Sequence, residues 1–306
     1  MAEFFEMSDD MEIKGLILAG GSGSRLYPST FGVNKHLLTL CDKPLIYHPI
    51  SLLMKMGIRD ITLVTSETDM PVFIRALGDG KSWGVNFTYV AQDQPRGTGH
   101  GLEIGATRIG NHNLVVCLGD NVFIGDLPEI ALRGWQGRGA RIFTKKVEDP
   151  RQFGVVELDG VGRPISVIEK PGDDSIKSAI TGMYFLDKKA KYWASEINIS
   201  SRGEFEITDV ISQYIEKCDI EVIDVDESTL WSDLGSHESW NRTSAIIHEM
   251  QSRSGRKVGC PEEVSFANGW ISESDLFDLS EVMIKSNYGC YLRSLLHDDR
   301  VFCNFN

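Results

Sequence analysis

The sequence predicts an α/β fold: a mostly parallel or mixed sheet flanked by helices, with a C-terminal helical portion. Three observations predict it. From Ile13, short apolar runs alternate with helix-spaced patterns. The first run, IKGLILA, ends directly in a glycine-rich turn. Beyond residue 236 the pattern is largely helical.

The elements follow in order. Residues 13–19 form a continuous apolar run, as a strand buried on both faces requires. Leu45, Ile46, Ile50, Leu53 and Met54 recur at roughly helical spacing, although Pro49 interrupts a clean helix. DITLVT at 60–65 reads as a strand. MPVFIRAL at 70–77 has Pro71 placed for the first turn of a helix. VNFTYVA at 85–91, a helical GLEIGATRI at 101–109 and NLVVCLG at 113–119 continue the alternation. ARIFTKKV, FGVVELD, PISVIEK and AITGMYFLD then read as strands with few helices between them, a mixed or antiparallel extension. Ile207, Val210, Ile211, Tyr214, Ile215 and Cys218 mark an amphipathic helix. Tyr288, Tyr291, Leu292, Leu295 and Leu296 form a late apolar stripe, read either as core packing or as a subunit contact.

The 306 residues suit one large domain or two modest ones, at roughly 150 residues each. The expected division is a loose leader at 1–12, a catalytic domain at 13–250 and a mainly helical segment at 251–306 packed on it. Hydrophobic residues make up 42% and charged residues 25%, which excludes wholesale disorder. With 44 acidic against 31 basic residues the net charge is −13, which argues against nucleic acid and anionic membranes as partners. No apolar run approaches a transmembrane helix, and the acidic N-terminus lacks the regions of a signal peptide. The six cysteines are scattered, with no metal spacing, and read as thiols in a reducing cytoplasm.

LILAGGSGSRLYP (16–28) is the strongest local signal. Gly20, Gly21 and Gly23 would let backbone N–H groups approach an anion closely, making a phosphate cradle. A plain tight turn after a strand uses glycine equally well. The P-loop pattern is absent, and the dinucleotide pattern fails at Leu26. Arg25 within the loop and Lys35 ten residues on favour a polyphosphate. Asp120 and Asp233 each follow a short apolar run, where parallel sheets bind ligands. Together they could hold Mg²⁺ bridging phosphate oxygens; singly, each reads as a turn aspartate. Glu169 and Lys170 end a strand and fit either a sugar phosphate or an exposed charged turn. No histidine pair, nucleophile elbow or Cys/His arrangement stands out, so covalent catalysis has no candidate.

These stretches, with NKHLLTLCDKPLIYHP, GIRDITLV, LGDNVFIG, SVIEKP, SRGEFEITD, WSDLGSH and the late block KVGCPEEVSFANGWI, stand in one order that resembles the glucose-1-phosphate thymidylyltransferases. The resemblance runs from Ile13 to about Leu296. It implies a Rossmann-like, nucleotidyltransferase-type sheet and the reaction of dTTP with glucose 1-phosphate, giving dTDP-glucose and pyrophosphate. It also implies specific roles. Leu18, Ala19, Gly20, Gly21, Ser22, Gly23 and Ser24 would wrap the triphosphate, with Arg25 and Lys35 as the catalytic cations. His36, Gln92 and Gly97 would bind the nucleotide, and Asp120 and Asp233 would hold Mg²⁺. Asn121, Gly154, Glu169, Lys170 and Thr181 would take the sugar phosphate. A cytoplasmic homotetramer follows from the same resemblance.

Four departures stand out. His36 replaces the family's usual glutamine, Phe153 its tyrosine, and WSDLG its WLDTG. RGTGHG at 96–101 is similar to the GTGHA of uridylyltransferases acting on N-acetylglucosamine 1-phosphate. The alternative is therefore a UTP-dependent transferase acting on a hexose 1-phosphate. A non-catalytic sugar-nucleotide-binding homologue is disfavoured, because Arg25, Lys35, Asp120 and Asp233 are all present.

Overall fold

The structure, a computed structural model, describes residues 12–297. The expected leader, Glu12 apart, lies outside the described residues, as does Cys303. The chain opens with β1 (Ile13–Leu18), the short ribbon β2 (Thr39–Leu40) and β3 (Lys43–Pro44), and α1 (Tyr47–Lys55). Next come β4 (Asp60–Ser66), α2 (Met70–Leu77), β5 (Asn86–Gln92), α3 (Thr98–Ile109), β6 (Asn113–Leu118) and β7 (Asn121–Ile124). Then follow α4 (Leu127–Leu132), β8 (Ala140–Lys146), β9 (Gly154–Leu158), β10 (Pro164–Glu169), β11 (Ser178–Leu186), α5 (Ala190–Glu196), α6 (Ile207–Glu216), β12 (Ile220–Asp224) and β13 (Leu230–Asp233). The helices α7 (His237–Ser254), α8 (Pro261–Ala267), α9 (Glu273–Val282) and α10 (Asn287–Leu295) close the described chain.

Nine of these strands form one mixed sheet, ordered β10-β9-β11-β6-β1-β4-β5, with β8 on β11 and β12 on β8. The β6-β1-β4-β5 half is parallel, while β11 runs antiparallel to β6, β8 and β9. Neighbouring residues of β1 face opposite layers, so Leu16 and Ile17 enter different cores although both are fully buried. Ile17 packs with residues of α1 and α2, and Leu16 with residues of α3, α5 and α6. Each such side chain contributes about 1.5–3 kcal/mol.

Pro49 does not break α1, because it is the third helical residue, where a missing N–H costs no intrahelical bond. The helix expected at 101–109 begins three residues earlier, at Thr98, straight after Gly97. Gly97 has φ +105°, and a Cβ there would lie 2.4 Å from the Phe205 carbonyl, so the turn into α3 requires glycine.

The late stripe settles inside the chain. Tyr288, Leu292 and Leu295 form a small core with Cys260, Phe266, Ile271 and Leu276, and Tyr291 and Leu296 border it. The stripe is therefore core packing within the chain, against α8 and α9. Through α8 this unit packs on α1. Residue 250, the expected domain boundary, falls within α7 rather than in a linker. Among the described residues, no helix is long and apolar enough to cross a membrane.

The chain leaves β1 toward β4 and β5, then returns through α3 to β6 on the other side of β1. The order reverses between β1 and β6, and open α/β sheets bind ligands outside the strand ends at such a point. Leu18 and Leu118 are partners at the ends of these strands, so the glycine loop and Asp120 leave the sheet side by side.

Candidate active site

Ala19 is anchored on both sides. Its N–H donates to the Val64 carbonyl at 2.7 Å, and its carbonyl accepts from Asn34 Nδ2 at 3.3 Å and Thr65 Oγ1 at 3.4 Å. The loop that follows is therefore fixed where it leaves β1. Gly20 lies against Gln92, whose Oε1 would be 2.5 Å from a Cβ at position 20. The loop then closes in a one-turn 3-10 helix, Ser24–Leu26. Arg25 Nη1 donates to Gln152 Oε1 at 2.7 Å, while its Nη2 lies beside Gly235. A Cβ at 235 would sit 2.8 Å from both Nη2 and Asp233 Oδ2, so glycine there lets Arg25 and Asp233 share the space.

Asn34 organises the second wall. Its Oδ1 accepts from the His36 backbone N–H at 2.9 Å and from His36 Nδ1 at 2.7 Å, and its Nδ2 also donates to Asp69 at 2.8 Å. This caps the turn Lys35–Leu37 and aims Lys35 at the cleft. Lys35 is buried, and its Nζ lies 2.7 Å from Asp120 Oδ2. A buried ammonium persists only when paired in this way. Burial holds the His36 imidazole down to about 4, so it is neutral at pH 7 and donates through Nδ1 to Asn34.

Asp120 Oδ1 accepts from Asn121 Nδ2 at 2.9 Å, and Asn121 Oδ1 accepts from Trp231 Nε1 at 2.8 Å. Burial would raise the Asp120 carboxyl, but Lys35, with help from His36 and Arg25, outweighs it and holds the group at about 2. Asp233 stands opposite Asn121 in the antiparallel β13–β7 ribbon, and the Leu234 N–H donates to the Asp120 carbonyl at 3.0 Å. Burial first, and then the Asp120 charge, push the Asp233 carboxyl up, partly offset by Arg25 and Lys35. The two carboxylates thus repel each other, which a shared cation would relieve. Among the described residues no cluster of three or more His, Cys, Asp or Glu could hold a metal ion.

The residues expected to take the sugar phosphate are built largely on β9 and β10. Glu169 pairs with Gly154, and the Lys170 N–H donates to the Phe153 carbonyl at 2.9 Å. Glu169 accepts from Thr208 Oγ1 at 3.3 Å and lies 3.4 Å from Arg202 Nη1. Burial, with Glu206 nearby, raises its carboxyl. Trp231 packs on Phe153 with ring centroids 5.2 Å apart.

Leu18, the loop from Gly20 to Arg25, Lys35, His36, Gln92, Gly97, Asp120 and Lys170 line one cleft of about 520 Å³. Ala19 supports the loop from beneath. Thr181 has a different place: it is fully buried, and its hydroxyl donates to the Phe143 carbonyl at 3.0 Å. Sequence reasoning missed Asn34, His100, Gln152, Arg202 and Trp231. Trp231 carried a usable signal, since it stands two residues before Asp233 and so on the same strand face, and His100 lies in the RGTGHG stretch that the sequence already sets apart.

Comparison with known proteins identifies the family. The nucleotidyl transferase family model matches residues 14–249. A glucose-1-phosphate thymidylyltransferase of Neisseria meningitidis is 41% identical over 286 residues, 93% of this chain and 99% of that protein. The chain belongs to the glucose-1-phosphate thymidylyltransferase family. The thymidylyltransferase of Mycobacterium tuberculosis H37Rv is likewise 41% identical, over 93% of this chain and 99% of its own length. A crystal structure from Bacillus anthracis, assigned to the same family and holding sucrose, matches with TM-score 0.70 and 38% identity, over 77% of this chain and 95% of that one. A UDP-glucose pyrophosphorylase complexed with UDP-glucose matches with TM-score 0.69 over 78% of this chain and 100% of its own; at 24% identity it shows the fold alone. As a family member the chain is a nucleotidyltransferase, with the mixed sheet and C-terminal helices that the sequence predicts.

Proposed function

We propose that the enzyme transfers the thymidylyl group of dTTP to α-D-glucose 1-phosphate, giving dTDP-glucose and pyrophosphate. The observation that carries this reading is the convergence in one cleft of the glycine loop, Arg25, the Lys35–Asp120 pair and, on the sugar side, Lys170. A phosphate oxygen of glucose 1-phosphate forms a bond to the α-phosphorus while the bond from that phosphorus to the bridging oxygen breaks, and pyrophosphate leaves in line. The attacking oxygen is already ionised at pH 7, so no general base is required. Both reactants are anions, and the residues act by neutralising charge and aligning the partners.

Backbone N–H groups of the loop and Arg25 hold the β- and γ-phosphates. Lys35, already aimed at the cleft by Asn34, meets the charge that builds on the α-phosphate. Asp120 and Asp233 would hold Mg²⁺. Their carboxylates would supply hard oxygen donors, the kind that ion prefers. When bound, the ion supplies charge stabilisation on the phosphate oxygens. Gln92 and Gly97 read the pyrimidine, Asn121, Gly154 and Glu169 take the sugar hydroxyls, and Lys170 binds the sugar phosphate. The same reading has the chain assemble as a homotetramer, which light scattering tests. The five free cysteines among the described residues fit a reducing cytoplasm.

Pyrophosphate release over a matrix of nucleoside triphosphates and sugar 1-phosphates tests the proposal. The expected maximum is dTTP with glucose 1-phosphate. A maximum with UTP would promote the uridylyl reading, which residues 96–101 favour.

A further inference from the structure

Gln92 ends β5 as a buried amide against the glycine loop, and its orientation is determined by its surroundings. Its Nε2 lies 3.4 Å from the Gly97 carbonyl and 2.9 Å from His100 Nδ1. A carbonyl oxygen can only accept, so the amide atom facing it is the NH₂ group. That group has two hydrogens, one for each neighbour. His100 Nδ1 must then be the acceptor, which makes its ring the neutral tautomer protonated on Nε2. The Gln92 Oε1 is left facing Gly20, and both residues line the cleft.

We propose that His100 is a positioning residue for base recognition: its Nδ1, together with the Gly97 carbonyl, keeps the Gln92 amide in the orientation that accepts a hydrogen bond from an imide N–H. This rests on the base-reading role given to Gln92 above. Thymine and uracil both carry a donor at N3, whereas cytosine carries an acceptor there. An amide held with Oε1 toward the base therefore favours the first two and opposes the third. A ring at position 100 that donated through Nδ1 would favour the opposite orientation and select for cytosine. His100 sits in the first turn of α3, 6.2 Å from the Phe205 ring between centroids, and does not line the cleft itself. It acts only through Gln92.

The test compares dTTP with dCTP at fixed, saturating glucose 1-phosphate. His100→Phe keeps an aromatic ring beside Phe205 and removes the acceptor. The expected result is a fall of about tenfold in the dTTP:dCTP ratio of kcat/KM, carried by KM for dTTP rather than by kcat. Ten is expected rather than a larger factor because the Gly97 carbonyl still biases the amide. His100→Asn restores an acceptor near the Nδ1 position and should recover most of the ratio. Gln92→Leu separates the two layers of the argument. If Gln92→Leu loses the discrimination and His100→Phe keeps it, the role of His100 is overturned while base reading by Gln92 stands. Unchanged discrimination in both variants would overturn base reading itself. An equal loss of kcat with both nucleotides in His100→Phe, without rescue by asparagine, would mark a merely structural role and overturn the proposal. Nitrogen-15 NMR of the histidine rings in the unaltered protein gives an answer independent of any variant: an unprotonated Nδ1 on neutral His100 is expected, and a protonated Nδ1 overturns the proposal.

Discussion

Lys35 and Asp120 meet as an ion pair, Nζ to Oδ2 at 2.7 Å, joining the segment after β1 to the end of β6. The pair keeps together two charges in a cleft where either alone would be costly to bury. Lys35→Met should lower kcat by at least about a hundredfold, equivalent to roughly 2.7 kcal/mol of transition-state stabilisation. Steady-state kinetics should show a smaller change in KM for glucose 1-phosphate. A turnover near that of the unaltered enzyme would remove Lys35 from the chemistry.

Asp233→Asn separates function from stability. Turnover should fall by about a hundredfold at fixed Mg²⁺, because half of the carboxylate pair is lost. Stability should not fall. The folded-state carboxyl of Asp233 is raised by burial and by Asp120, so the folded protein binds the proton more tightly than the unfolded chain. Ionising it as pH rises above the ordinary carboxylate value therefore weakens the fold, and asparagine removes that loss. Urea denaturation without metal at pH 7 should give an equal or higher midpoint for the variant; a clearly lower one would contradict the repulsion argument.

Trp231→Phe keeps a ring against Phe153 and removes the indole donor to Asn121 Oδ1. A neutral hydrogen bond contributes about 1 kcal/mol, so KM for glucose 1-phosphate should rise roughly fivefold. Titration of the sugar phosphate at saturating dTTP reads this directly. An effect confined to KM for dTTP would show that Trp231 does not serve the sugar side.

His48 gives the protein a pH signature away from the cleft. It is buried in α1, its Nε2 has no hydrogen-bond partner among the described residues, and burial, with Lys43 nearby, holds it down to about 3. The unfolded chain therefore takes up the proton first as pH falls below about 6.5, and stability drops from there toward pH 3. His48→Gln should lose about 2 kcal/mol less than the unaltered protein between pH 7 and pH 5 in urea denaturation. His36, held down to about 4, acts in the same window, so the comparison is of slopes rather than of absolute stability. Identical slopes would refute the assignment.

Discrimination between dTTP and UTP should be modest. A buried methyl contributes about 0.8 kcal/mol, or roughly fourfold, and on the proposed reading Gln92 and Gly97 face an edge that both bases share. Competition with glucose 1-phosphate fixed should place UTP second to dTTP, within about a hundredfold in kcat/KM. A gap of several thousandfold would require a dedicated contact to the methyl or the 2′-position.

The sequence by itself determined the layers of this protein and one wall of its site. Burial of alternate or continuous apolar runs is a local property, so β1, β4, β5 and β6 and the helices between them follow from residue spacing. The glycine loop and Asp120 were legible for the same reason: each directly follows a buried strand. Only the tertiary structure decided which distant groups meet. Asp233 reaches Asp120 through the register of β13 on β7, and Lys35 reaches it because β6 returns beside β1. His100 finds Gln92 because α3 starts at Thr98, straight after Gly97, and the late stripe finds α8 and α9. A side chain's type and spacing set what it can bond and which face it occupies. Its partner is set by strand register and chain crossings, which are fixed by the packing of the whole core rather than by any one segment.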